Sequence, residues 1–173
     1  MLKIQNLTKI YDGGVLALDN VSFEVPEGQF LAIIGLSGSG KSTLLRCINR
    51  LIEPTEGTIL WNGKDITKAS DDEMRHIRRK IGMVFQHFNL VHRSSVLTNV
   101  LAGRLGYVNP AMSILNRFPQ SDIDNAIKQL DRVGIADKAY SRADELSGGQ
   151  QQRVGVARAM MQNPEIILAD EPV

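Results

Sequence analysis

Residues 35–42, with the sequence GLSGSGKS, constrain the fold of this chain more than any other segment. They fill every fixed position of the pattern G-x-x-x-x-G-K-[ST]. The apolar run FLAII at residues 30–34 comes directly before them, which is typical of a strand buried on both faces of a parallel sheet. This order of strand, glycine-rich turn and helix predicts an anion-binding loop, because backbone N–H groups and the positive end of the helix then face one point.

The residue types in this phosphate loop, residues 35–42, predict how a nucleotide is held. We expect Lys41 to reach the β- and γ-phosphates and the Ser42 hydroxyl to ligate Mg²⁺. An ordinary Gly/Ser-rich turn is the alternative, but it would not require Lys-Ser at this spacing. By itself the loop does not distinguish kinases, GTPases and motor ATPases. The predicted nucleotide-binding residues of this segment are Gly35, Leu36, Ser37, Gly38, Ser39, Gly40, Lys41, Ser42 and Thr43.

A second apolar run, IILA at residues 166–169, ends in two carboxylates. A carboxylate at the C-terminal end of a parallel strand lies where ligands bind in open α/β sheets. We therefore predict that Asp170 holds Mg²⁺ through water and that Glu171 polarises the attacking water as a general base. The alternative is an acidic turn after a strand, without a chemical role.

The remaining sequence divides by its periodicity. Alternating apolar residues near the N-terminus, such as Val21, Phe23 and Val25, predict antiparallel strands, and NG at residues 62–63 predicts a hairpin turn. Residues 91–162 instead contain apolar residues at helical spacing. We predict a strand-rich core over residues 1–90 and 163–173, with a helical insert over residues 91–162.

Composition limits the partners and the compartment. The 20 basic and 19 acidic residues give a net charge of +1, which argues against a nucleic-acid partner and against a polybasic membrane surface protein. The single cysteine, Cys47, excludes an internal disulfide. The N-terminus lacks the apolar segment of a signal peptide, so we expect a protein on the cytosolic side of the membrane.

The segment LSGGQ predicts a second anion-binding helix N-terminus. It consists of Leu146, Ser147, Gly148, Gly149 and Gln150. This signature segment resembles the signature motif of ABC ATPases.

The order of the motifs is similar to that family as well, over the whole chain. Tyr11 lies upstream, Gln86 follows in the segment VFQ, and Asp170-Glu171 come about twenty residues after the signature segment. The resemblance implies that Tyr11 stacks on adenine and that Gln86 meets Mg²⁺ and the attacking water. The implied catalytic residues are Glu171 and Gln86, and the implied Mg²⁺ residues are Ser42, Gln86 and Asp170.

The resemblance also implies the fold and the assembly. It implies one α/β domain over residues 1–173, with a P-loop NTPase (RecA-like) core, an N-terminal antiparallel β-subdomain and an α-helical signature subdomain. The family works as a head-to-tail dimer, in which ATP on one phosphate loop meets the signature segment of the second copy. The dimer drives integral membrane permease subunits, and a periplasmic or lipid-anchored solute-binding protein takes part indirectly. The implied location is peripheral, on the cytoplasmic face of the inner membrane.

The helical insert carries the resemblance that concerns cargo. The segments at residues 87–91, 99–107, 113–118 and 122–133 look like those of the ATPases of bacterial phosphonate importers. Importers of phosphate esters, methionine or polar amino acids remain alternatives, because cargo does not touch this subunit in the family. A non-transport ABC ATPase is disfavoured, since only 59 residues without heptads separate Gln86 from Leu146.

Two further expectations follow. Phe88, Leu90 and Val91 form an apolar group without a core period, so we expect it to dock on the membrane partner; packing inside the insert is the alternative. The chain ends at Val173, before the family's switch histidine and last strands, and its three histidines all precede Asp170. We therefore expect a truncated chain that lacks the C-terminal strands and hydrolyses ATP poorly by itself; a hydrolysis-deficient fragment is the corresponding alternative function.

Overall fold

The computed structural model describes residues 1–109 and 117–171. Its strands are β1 (Leu2–Tyr11), β2 (Val15–Val25), β3 (Glu56–Trp61), β4 (Lys64–Asp65), β5 (Ile81–Val84) and β6 (Ile166–Ala169). Its helices are α1 (Lys41–Ile48), α2 (Asp71–Arg78), α3 (Val96–Leu101), α4 (Gln120–Arg132) and α5 (Gly148–Met160). The chain divides into two compact units, unit 1 over residues 1–74 and unit 2 over residues 75–173, and each is considered by itself.

Unit 1 is built on an antiparallel sheet with the strand order β2-β1-β3-β4. The alternation predicted for β2 is present, since Val21, Phe23 and Val25 are half-buried while the residues between them are exposed. Asn62 and Gly63 both adopt left-handed backbone, with φ of 50° and 80°, which suits the tight turn that joins β3 to β4. The predicted hairpin at residues 62–63 is therefore confirmed.

The strand predicted at residues 30–34 is wrong for this structure. These residues form no strand, and the side chains of Phe30 and Ile34 are 91% and 94% exposed. An apolar run indicates that a segment is suited to be a buried strand. It forms one only where neighbouring strands provide hydrogen-bond partners and other elements pack on its faces. Among the described residues, no strand pairs with this run.

Unit 2 contains a pair of parallel strands, one of which is the predicted strand at residues 166–169. Strands β5 and β6 run parallel in the register Ile81↔Ile166 to Val84↔Ala169. Every residue of β5 is buried, whereas β6 exposes Ile167 on its outer side. The parallel arrangement brings the C-terminal ends of both strands to one edge, where the predicted catalytic residues follow.

Helices α3, α4 and α5 enclose a second apolar core in unit 2. Its fully buried members include Val100, Leu130 and Val154, one from each helix. Leu90 is buried in the same core, so its predicted docking role is wrong. Phe88 packs against this core but is only half-buried, so its docking role stays a prediction. Val91 is 63% exposed and stays a candidate contact. The segment at residues 113–118, which carried part of the cargo resemblance, lies outside the described residues up to position 116.

No helix in the described parts of the chain is both long and apolar enough to cross a bilayer.

Candidate nucleotide-binding site

The phosphate loop in unit 1 is shaped by two glycines with different requirements. Gly38 and Gly40 both have left-handed backbone, with φ of 80° and 91°. A Cβ atom on Gly40 would collide with the carbonyl oxygen of Ala17, whereas a Cβ on Gly38 would meet nothing within 4 Å. Gly40 is also the residue that precedes the first turn of α1. The loop therefore enters helix α1 through a conformation and a space that only glycine fits.

Lys41 lies against the backbone of this loop. Its Nζ donates hydrogen bonds to the carbonyl oxygens of Gly35 and Leu36, both at 2.9 Å. The ammonium group is thus held beside the loop at the N-terminal end of α1. A cation and a helix N-terminus in one place form an attractive site for the phosphate groups of a nucleotide.

Tyr11, at the end of β1, is brought to the same helix end. Its hydroxyl lies 3.2 Å from Oγ1 of Thr43, and Nζ of Lys9 lies 5.3 Å from its ring centroid. The ring is partly exposed. An aromatic side chain beside the phosphate loop is the arrangement that stacking on a nucleotide base requires.

Gln86 and Glu171 meet at the edge of the parallel pair in unit 2. The Nε2 of Gln86 donates a hydrogen bond of 2.7 Å to Oε2 of Glu171. The register of β5 and β6 explains this contact, because each residue comes two positions after the paired strand ends Val84 and Ala169. Glu171 has a left-handed φ of 47°, which is unfavourable for a residue with a side chain and is concentrated at functional sites in proteins.

Asp170 lies beside them. Its backbone N–H donates to the carbonyl oxygen of Val84 at 3.0 Å, and the residue is 2% exposed. A buried carboxylate next to an exposed one fits the two predicted roles, in which one holds a metal and the other faces water. The structure thus brings Gln86, Asp170 and Glu171 into one cluster.

The signature segment begins helix α5. Oγ of Ser147 accepts the N–H of Gln150 at 3.4 Å, and the Gln150 side chain accepts the N–H of Ser147 at 3.0 Å, which is a capping box. Leu146 is buried and anchors the turn. Gly148 and Gly149 are exposed, and a Cβ on either would meet nothing within 4 Å. No described residue approaches these two positions closely enough to require glycine, and their backbone is open to solvent.

Helix α5 separates the signature segment from the Gln86 cluster. The helix has 13 residues, and at its far end the carbonyl of Ala159 lies beside Gly82 of β5. At 1.5 Å per residue the two ends are about 20 Å apart. Within unit 2 the structure therefore does not bring the signature segment to Gln86 and Glu171.

The donor atoms predicted for the metal are all oxygens, as Mg²⁺ prefers. They are the hydroxyl of Ser42, the carboxylate of Asp170 and the amide oxygen of Gln86, whose Nε2 is turned to Glu171. Among the described residues, no group of three or more His, Cys, Asp or Glu could hold a metal ion. Oxygen donors of this kind are those that Mg²⁺ uses together with substrate phosphates and water.

Sequence reasoning missed one residue near this cluster. Arg158 of α5 donates to the carbonyl oxygens of Phe88 and Asn89, which follow Gln86. The only signal in the sequence is a charged residue in the small and apolar run VGVARAM at residues 154–160. A pattern does not tell which backbone such a side chain will contact.

The similarity to known proteins extends over nearly the entire chain. A phosphonates import ATP-binding protein of Synechococcus is 58% identical over 172 residues, which are 99% of this chain and 64% of that protein. A phosphonates import ATP-binding protein of Nitratidesulfovibrio vulgaris is 58% identical over 171 residues, again 99% of this chain and 64% of that protein. The chain thus spans slightly less than two thirds of the length of these relatives.

Solved structures show the same fold. The dimeric structure of MJ0796, a bacterial ABC transporter cassette, superposes with a TM-score of 0.88 at 40% identity, covering 99% of this chain and 74% of that one. A dimeric post-hydrolysis state of that cassette, bound to ADP and Pi, superposes with a TM-score of 0.83 at 39% identity, covering 100% and 75%. The α/β cassette fold expected from the motifs is confirmed. A family profile described as ABC transporter matches residues 18–173, and the chain belongs to this family.

Proposed function

We propose that this chain is the ATP-binding, ATP-hydrolysing energy-coupling subunit of a bacterial ABC importer for phosphonates. The observation that carries the nucleotide part is the position of Lys41, whose ammonium lies against the phosphate loop at the start of α1. The identity of 58% to phosphonates import ATP-binding proteins supports the cargo. The subunit would work on the cytoplasmic face of the membrane, bound to permease subunits that receive cargo from a solute-binding protein.

The nucleotide would lie along helix α1. The base stacks on Tyr11, the β- and γ-phosphates take the N–H groups of the phosphate loop, and Lys41 exchanges its two carbonyl acceptors for phosphate oxygens. Ser42, Gln86 and Asp170 would hold Mg²⁺, which neutralises charge on the β- and γ-phosphates.

Glu171 would act as the general base of hydrolysis. Its Oε2 accepts the N–H of Gln86, which orients the carboxylate that would take a proton from water. Gln86 therefore has two functions in this proposal, since its nitrogen orients the base and its oxygen is a ligand of Mg²⁺.

A second copy of the chain would complete the site. Gly148 and Gly149 offer open, side-chain-free backbone at the first turn of α5, where a helix N-terminus attracts anions. The γ-phosphate of ATP held by a second copy is such an anion. This arrangement makes ATP part of the dimer interface, so that ATP binding closes the dimer and hydrolysis opens it.

Calorimetric titration with MgATP tests the nucleotide part. Lys41→Ala should weaken binding about tenfold or more, because charge-assisted contacts to phosphate are among the strongest hydrogen bonds. Lys68→Ala is the matched control, since the side chain of this lysine in unit 1 is 86% exposed, and it should bind as the parent does. Equal affinity of Lys41→Ala and the parent would exclude the assignment.

Complementation tests the cargo. A strain that lacks its own phosphonate-import ATPase should grow on a phosphonate as sole phosphorus source when it receives the gene for this protein together with its permease. Rescue of methionine or amino-acid uptake instead would assign the chain to one of the other importers.

A further inference from the structure

The backbone that follows Gln86 is held in an unfavourable conformation. Phe88 and Asn89 are consecutive residues with left-handed φ of 55° and 48°. Residues with side chains rarely adopt this conformation, and two in succession persist only where surrounding contacts enforce them. Residues 86–91, the Gln86 loop, therefore need an external contact that fixes their shape.

Arg158 supplies that contact. Its Nη2 donates to the carbonyl oxygen of Phe88 at 2.5 Å, and its Nη1 donates to the carbonyl oxygen of Asn89 at 2.7 Å. The planar guanidinium offers two parallel N–H donors with fixed separation, which a lysine ammonium does not. With this backbone, the carbonyl oxygens of Phe88 and Asn89 both accept hydrogen bonds from the one guanidinium group.

The two acceptors of the Arg158 guanidinium are neutral carbonyl oxygens. No carboxylate among the described residues lies within ion-pair distance of Arg158, and burial lowers the pKa of its guanidinium. A partly buried cation without a counter-charge is unfavourable, so a residue that served stability alone would be replaced easily by an apolar one. The arrangement favours a role that depends on the two carbonyls.

The Gln86 loop connects two fixed points. At its start, Gln86 donates to Glu171 at 2.7 Å. At its end, the N–H of Val91 donates to the side-chain oxygen of Asn99 at 2.7 Å, and the Asn99 amide donates back to the Val91 carbonyl at 3.1 Å. The two residues held by Arg158 lie between these points, so their position determines where the Gln86 amide stands.

Arg158 also lies on the helix that begins with the signature segment. It comes eleven residues after Ser147, about three turns along α5. A helix of this length moves as one body, so a displacement at its first turn also moves the guanidinium.

We propose that Arg158 is a positioning residue that sets the place of the Gln86 side chain by holding the carbonyls of Phe88 and Asn89, and that α5 thereby links the signature segment to Gln86. The importance of this link for hydrolysis rests on the proposed function. The positioning itself does not, and it can be measured without nucleotide.

The test compares Arg158→Met and Arg158→Lys with the controls Arg153→Met and Arg153→Lys. Arg153 lies on the same helix but is exposed. The side-chain amide signal of Gln86 is followed by NMR in ¹⁵N-glutamine-labelled protein and assigned by its loss in Gln86→Glu. Amide hydrogen exchange is measured over residues 86–91 in the same samples.

In Arg158→Met, we expect the Gln86 signal to move and broaden and exchange over residues 86–91 to rise about tenfold or more, as loss of two charge-assisted bonds predicts. Arg158→Lys should give a smaller change, because one ammonium cannot hold both carbonyls in the same way. The Arg153 variants should match the parent. If Arg158→Met does not fold, Arg158→Lys decides the question.

An unmoved Gln86 signal in a folded Arg158 variant would overturn the inference, and so would increased exchange spread evenly over α3, α4 and α5. Calorimetry with MgATP on the same samples separates this outcome from failure of the proposed function. If the parent binds no ATP but its Gln86 signal depends on Arg158, the proposed function fails and the positioning role stands. If ATP binds normally and the signal is independent of Arg158, only the positioning role fails.

Discussion

Glu171 carries two unusual features for one side chain, a left-handed backbone and a direct hydrogen bond from Gln86. Both features orient its carboxylate at the end of β6. Replacing the carboxylate by an amide preserves the shape of the side chain but removes its capacity to take a proton from water. A substitution at Glu171 can therefore distinguish an effect on ATP binding from an effect on ATP hydrolysis.

For Glu171→Gln we predict unchanged MgATP affinity and hydrolysis slowed about 10²-fold or more, the usual contribution of a general base. Single-turnover hydrolysis of labelled ATP detects slow rates and is the measurement of choice. Glu165→Gln is the matched control, because Glu165 pairs with Lys80 at 2.8 Å on the surface and should not affect the rate. Parental hydrolysis by Glu171→Gln would contradict the role as base.

The burial of Cys47 predicts how the stability of the fold depends on pH. It is fully buried on α1, and burial raises the pKa of its thiol from its ordinary value near 9 to about 11. A group with a raised folded pKa stabilises the fold below its unfolded pKa, and this contribution is lost as pH rises through the folded value. The free energy of unfolding should therefore fall between about pH 9 and pH 11.

Urea unfolding over this pH range checks the contribution of Cys47. Cys47→Ala should be less stable at neutral pH, since it leaves a cavity, but its stability should fall less steeply with pH than that of the parent. Parallel curves for the two proteins would contradict the assignment. At pH 8 a thiol reagent should label Cys47 only in unfolded protein, because the thiolate is the reactive form.

At the scale of elements, helix α5 combines two different sorts of glycine. Gly149 lies in the exposed first turn and Gly155 in the buried middle, yet a Cβ on either would meet nothing within 4 Å. Alanine favours a helix over glycine by about 0.5–1 kcal/mol. Both substitutions should therefore leave the chain equally stable or slightly more stable.

The two substitutions should differ in assembly. Gly149→Ala places a methyl group where we propose that the γ-phosphate of a second copy binds, so ATP-dependent dimerisation should be reduced strongly. Gly155→Ala is the control and should dimerise as the parent does. Light scattering with MgATP in the Glu171→Gln background, which preserves ATP, is the measurement. Normal dimerisation of Gly149→Ala would exclude the proposed contact.

The elements also show how far sequence reasoning reaches. The hairpin at residues 62–63, the start of α5 at Ser147 and the strand at residues 166–169 were predicted correctly, because each depends on residues adjacent in the sequence. Leu90 was wrongly assigned to a docking surface. Its burial depends on helices that follow it in the chain, and the residues next to it do not indicate that contact. Arg158 was missed because its partners lie 69 and 70 residues away. The roles of Tyr11, Gln86 and the signature segment, and the division at residues 91–162, stay predictions.

At the scale of the whole molecule, the apolar run at residues 30–34 leaves large hydrophobic side chains exposed to solvent. Phe30 and Ile34 are almost entirely exposed, and Leu36 in the phosphate loop is 85% exposed. Contiguous exposed apolar side chains of this kind promote association between molecules. Residues 30–34 are apolar, as a buried strand would be, but in this structure no other described segment covers them. The same side chains are therefore available to contact a second molecule.

We therefore predict that the 173-residue chain associates in a concentration-dependent way without nucleotide, and that Ile34→Lys reduces this association. The substitution removes an apolar group that contributes nothing to the described core, so it should not lower the melting temperature, and it should lower binding of a hydrophobic dye. Ile167→Lys is a useful comparison, because Ile167 is 49% exposed on the outer side of β6 and offers a second apolar contact. Light scattering across a concentration series distinguishes the variants. Equal association of Ile34→Lys and the parent would show that residues 30–34 are not the contact surface, whereas weakened association in Ile167→Lys alone would place that surface at the edge of β6.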